Sequence, residues 1–113
     1  MLVIFSFFSF LSCSEKPTDT AISCEDAAAL EWNYWANGFF RTYCLSCHSA
    51  QSSERYGAPQ GINFDKQEDV EMLADLIYES VIIEERMPEG GGVDPAELQR
   101  LEGYLRCWLG AMP

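Results

Sequence analysis

"RTYCLSCHSA", residues 41–50, carries the chemistry of this chain. Cys44 and Cys47 are separated by two residues, and His48 follows at once. Three chemistries use such a cluster. It can hold part of a zinc site, run thiol–disulfide exchange, or attach a haem covalently. Each makes a different demand on the rest of the chain.

A zinc site needs four ligands, usually as two short-spaced pairs. Here there is one histidine, adjacent to Cys47, and the other cysteines, Cys13, Cys24 and Cys107, are isolated from one another. Thiol–disulfide exchange would place the pair at a helix start after a strand. The preceding segment is instead aromatic-rich and helical in pattern, and nothing shows strand alternation. Haem attachment asks for C-x-x-C-H, which residues 44–48 satisfy. With five Cys and one His in 113 residues, a chance match is expected about 0.002 times. Two thiols then anchor the ring and the histidine ligates its iron.

Such an iron takes a sixth ligand, and His/Met ligation raises its potential. There is no second histidine, so the four methionines are the candidates. Met1 falls in the apolar leader, Met72 in a polar helical stretch, and Met112 at a terminus, where chains fray. Met87, followed by Pro88 in an irregular segment, is the expected ligand. Otherwise it would be a gap-filling core residue, the usual fate of a methionine.

Outward from the motif, the pattern is helical. Ala28, Trp32, Trp35, Phe39 and Tyr43 recur at helical steps within 25–43 and predict one helix with a single buried face. Residues 49–64 are rich in Ser and Gly and read as loop. Asp65 and Glu68 form a capping-box pattern opening a second helix to about 83, with Val70, Leu73, Leu76, Ile77 and Val81 inward. Residues 86–97 hold two prolines and three glycines and interrupt it. Asp94, Pro95 and Glu97 then start a third helix, with Val93 and Leu98 placed for a hydrophobic staple. Leu98, Leu101, Tyr104 or Leu105, and Trp108 make its buried stripe, and Gly110 ends it. The expected fold is all-α.

The first 13 residues, "MLVIFSFFSFLSC", are apolar but too short for a membrane helix, and suit the core of a secretory signal. The run resembles the end of a bacterial lipoprotein signal, with Cys13 as the lipid-modified residue. The other possibility is an ordinary cleaved signal with an incidental cysteine. No Lys or Arg precedes the run, which suits a truncated start. Residues 14–23 read as a polar tether, placing residues 24–113 on the periplasmic side of a bacterial membrane. If Cys13 takes a lipid and Cys44 and Cys47 a haem, Cys24 and Cys107 remain as a pair for a disulfide. An unbroken first helix would, however, hold Cys24 ~18 Å from the helix crossing, so the bridge requires that stretch to fold back. The net charge of −11, from 18 acidic and 7 basic residues, argues against nucleic-acid binding. It suits steering of redox partners with basic patches, or simply solubility.

With these residues in place, the chain resembles the small mono-haem class I c-type cytochromes over nearly all of residues 25–113. "CLSCH" is similar to the family's haem site. Met87-Pro88, 39 residues after His48, is similar to its distal segment, and Phe40 to an aromatic at the haem edge. "LEGYL", 101–105, resembles its last-helix pattern. The resemblance implies a cytochrome c-like domain of three main helices around one covalent haem c. It implies Cys44 and Cys47 as thioether anchors, His48 and Met87 as axial ligands, and electron transfer without enzymatic activity. It implies Tyr104 packed across Ala36, and a backbone carbonyl at Pro59 in "GAP", 57–59, supporting the far nitrogen of His48. Two other functions stay open: a haem sensor or peroxidase-like enzyme with an open sixth site, and a cofactor-free docking lipoprotein.

Overall fold

The computed structural model of the chain describes residues 21–112. Met1, Cys13 and residues 14–20 of the expected tether lie outside them. Among the described residues there are helical elements and no strands, as an all-α fold requires. Helix α1 spans Asn37–Tyr43, α2 Gln67–Met72, α3 Ala74–Ile77 and α4 Pro95–Cys107. A 3₁₀ turn at Asp26–Leu30 and a wider π turn at Trp32–Ala36 precede α1, and a π turn at Tyr78–Ile83 follows α3.

The first expected helix is therefore not continuous. Glu31 is extended, at φ −49° and ψ 154°, and its carbonyl accepts the amides of Tyr34, Trp35 and Ala36, which restarts the chain. The break changes the buried face. Before it Ala27 and Leu30 are buried and Ala28 is exposed; after it Ala36, Phe39 and Phe40 are buried. A single helix would have carried the Ala27–Leu30 stripe on to Tyr34, which is 79% exposed. The fold-back also brings Cys24 to Cys107, and the two form a disulfide with Cα atoms 5.3 Å apart.

Helix α4 crosses the Asp26–Leu30 turn and also packs on the Tyr78–Ile83 turn. The small residue at the first crossing is on α4 itself. A Cβ on Gly103 would lie 3.1 Å from Leu30 Cδ1 and 3.3 Å from Ile22 Cβ. Arg106 donates to the Ile22 carbonyl at 2.6 Å, and Trp108 Nε1 to the Ala27 carbonyl at 2.8 Å, so three polar or covalent ties clamp this corner. Trp108 is 46% exposed, so it lies on the corner's rim and not in the expected buried stripe. Ala36 and Tyr104 are both fully buried, in one core with Phe40, Val70, Leu101 and Leu105.

Two caps differ from expectation because their carboxylates are used elsewhere. Lys66 stands at the N-cap of α2 and no side chain caps it. Asp65 instead accepts from the Ser49 hydroxyl and, at 2.9 Å, from the Ala50 amide. In α4, Asp94 caps Ala96 N at 2.8 Å, but Glu97 accepts from Trp35 Nε1 at 3.1 Å and pairs with Arg100 in place of closing a box. At the other end Gly110, at φ +67°, lets Ala111 N bond back to the Leu105 carbonyl at 2.9 Å, a closure through a left-handed residue that favours glycine. Leu73, at φ −105° and ψ 12°, divides the second expected helix into α2 and α3. Leu76 is 38% exposed and faces a cavity instead of the core.

Candidate cofactor cavity

That cavity has a volume of about 440 Å³, within the range of small-molecule and cofactor sites. It lies between the end of α1, the 44–64 segment, the α3 side and the 86–89 segment, with Leu101 of α4 reaching its wall. Cys44, Cys47, His48 and Met87 all line it. The other methionines within the described residues do not: Met72 is 77% exposed and Met112 76%.

Local backbone bonds place the motif. The amides of Cys44 and Leu45 both bond the Phe40 carbonyl, and those of Cys47 and His48 both bond the Cys44 carbonyl. The chain thus leaves α1 in tight successive turns that bring Cys44, Cys47 and His48 to the cavity lining. The two thiols are not bridged. Burial, and secondarily the neighbouring Cys47, push the Cys44 thiol up to about 12, so it is held neutral. Among the described residues, no three His, Cys, Asp or Glu side chains converge on one point.

His48 is fixed from two sides. Its amide-linked carbonyl accepts Phe64 N at 2.8 Å, and the Phe64 ring lies 5.1 Å from the imidazole. Its Nδ1 lies 2.9 Å from the Ile62 carbonyl. A carbonyl can only accept, so Nδ1 carries the proton and Nε2 keeps a lone pair free to ligate. The supporting carbonyl is therefore that of Ile62, not of Pro59 as expected. The Pro59 carbonyl accepts from Arg55 at 2.7 Å and from Ile62 N at 3.1 Å. The turn so formed carries the histidine's acceptor three residues further on.

Arg55 organises this loop, and sequence reasoning missed it. It is buried, and its guanidinium donates to the carbonyls of Ser49, Ala58, Pro59 and Ile62. A lone arginine in a Ser- and Gly-rich loop was the only available signal. Across the cavity Ser80 does similar work for Met87. Its carbonyl accepts Arg86 N at 3.0 Å and Met87 N at 3.2 Å, and its hydroxyl bonds back to the Leu76 carbonyl. The remaining lining is mostly apolar: Phe39, Phe40, Phe64, Ile77 and Val81.

No protein family, no curated protein and no solved structure matches the chain.

Proposed function

We propose that the chain is a one-electron carrier holding one haem c in this cavity, in a cytochrome c-like domain. The observation that carries the proposal is that one largely apolar cavity is lined by two unbridged thiols, an imidazole with a free Nε2, and a thioether. That donor set fits a covalently bound haem. Cys44 and Cys47 would anchor it as thioethers, and His48 and Met87 would ligate its iron. When bound, the group supplies an iron that gains and loses one electron.

The protein's own residues do the rest. Ile62 orients the imidazole and raises its basicity through Nδ1–H. Ser80 holds the Met87 segment against the cavity. Phe39, Phe40, Phe64 and Val81 exclude water, which favours the less charged oxidation state and, with methionine ligation, a high potential. With His48 and Met87 both ligating, no substrate would reach the metal, which favours a carrier over an enzyme. The acidic surface would steer redox partners bearing basic patches. Export and a lipid anchor at Cys13 complete the proposal, since covalent haem attachment belongs outside the cytoplasm. No described helix is long and apolar enough to cross a membrane.

Oxidised and reduced absorption spectra of protein matured in a competent host provide the test. A c-type spectrum that survives denaturing, acidified organic extraction is expected. Its loss in Cys44→Ala/Cys47→Ala is expected too. Protein that matures without haem would overturn the proposal in favour of a docking lipoprotein. Carbon monoxide separates carrier from sensor: slow binding by the reduced wild type and fast binding by Met87→Ala are expected. Equally fast binding by both would indicate an open sixth site.

A further inference from the structure

Arg55 and His48 share one acceptor. The Ile62 carbonyl lies 2.9 Å from His48 Nδ1 and 3.2 Å from Arg55 Nη2. The same guanidinium holds the Ala58 carbonyl at 3.3 Å through Nε, the Ser49 carbonyl at 2.6 Å through Nη1 and the Pro59 carbonyl at 2.7 Å through Nη2. Four of its five N–H groups are thus spent on backbone. Ser49 directly follows His48, and Ile62 ends the loop that returns to it. Arg55 therefore ties both ends of the loop to one rigid plane.

We propose that Arg55 is the positioning residue of His48: it fixes the ring's tautomer and sets how strongly the imidazole donates to whatever it ligates. The inference rests on the proposed site but concerns residues of this chain. Two consequences follow from the shared carbonyl. Without Arg55 the 49–62 loop loses the four bonds that aim Ile62 at Nδ1, and the ring is free to exchange tautomers. With Arg55 present, the carbonyl divides its electron density between two donors. The Nδ1–H bond is then weaker than a private one, and the imidazole is less electron-rich. A planar fork is required, because a lysine ammonium is a point donor that cannot span four carbonyls.

The test compares Arg55→Lys and Arg55→Met with wild type in the purified full chain, using ¹⁵N NMR of His48. The wild type is expected to show one Nδ1–H tautomer with slow exchange of that proton. Both variants should exchange it at least tenfold faster. In haem-loaded protein both should also show a shifted reduction potential. A purely electrostatic arginine predicts something else: Arg55→Lys would match wild type in exchange and potential, and that result would overturn the proposal. Wild-type exchange in Arg55→Met would overturn it as well. If Arg55→Met does not fold, Arg55→Lys decides alone. Because tautomer and exchange are read in the haem-free chain, failure to find haem would sink the carrier function while leaving this test decisive.

Discussion

Removing the Cys24–Cys107 bridge should cost a large part of the domain's stability. The bond closes a loop with a sequence separation of 83. Chain-entropy reasoning assigns such a crosslink about 4.5 kcal/mol at 25 °C. Cys24 is exposed and Cys107 half-buried, so replacing both by alanine removes little packing and the crosslink dominates the effect. Two other ties hold the same corner: Arg106 to the Ile22 carbonyl and Trp108 to the Ala27 carbonyl. They keep the folded geometry but do not restrain the unfolded chain, so they leave the entropic cost in place. Native strain and residual structure in the unfolded chain reduce such values in practice, so the expected loss is about 3–4.5 kcal/mol. For a domain of this size that lowers Tm by at least ~12 °C. Thermal melts of wild type, wild type with reductant, and Cys24→Ala/Cys107→Ala, followed by circular dichroism, measure it. The reduced wild type and the double variant should coincide. A shift under ~4 °C, or alkylation of both cysteines in the oxidised folded protein, would refute the reasoning.

Three further outcomes follow from particular contacts. Gly103→Ala gains up to ~1 kcal/mol in helix propensity. Its Cβ would nevertheless press on Leu30 and on Ile22, which the Arg106 bond and the disulfide hold in place; overpacking of about 1–3 kcal/mol should win, and urea denaturation should show net destabilisation. The Asp65 carboxyl is held below its ordinary range, first by the Ser49 hydroxyl and then by the Ala50 amide. Because the folded pKa is the depressed one, its contribution is complete above the unfolded value of about 3.9 and is lost as pH falls through the folded value. Denaturation of Asp65→Asn against wild type should therefore show a constant difference at neutral pH that shrinks below pH ~4. Tyr104 is the reverse case: burial, and then Glu71, push its hydroxyl up to about 12, and that hydroxyl has no hydrogen-bond partner. Its stability contribution is present below pH ~10 and lost as pH rises toward the folded value. Tyr104→Phe should flatten the alkaline limb and be neutral or stabilising at pH 7, leaving the parts due to Tyr78 and, where its thiol is free, Cys44, which are also raised.

What was legible in this sequence is what spacing along the chain determines. The five-residue motif and the Met-Pro segment could be picked out because few residues of the right chemistry exist, and all four side chains line one cavity. The α4 boundaries were legible for a similar reason, since Asp94, Pro95 and Gly110 act within a turn of themselves. The misses share a different cause. Asp65 and Glu97 sit at capping positions, and sequence assigns them to caps. In the fold Ser49 and Trp35 arrive from distant segments and offer each carboxylate another donor. Glu31 has no helix-breaking chemistry, and the chain breaks there because Cys24 must reach Cys107 while Phe39 and Phe40 must reach the cavity. No single helix does both. The acceptor of His48 shows the same logic at atomic scale. Whether Pro59 or Ile62 supplies it depends on which carbonyl Arg55 leaves facing the ring. That choice exists only once the loop has closed on the guanidinium, so it has no signature in the order of residues 49–62.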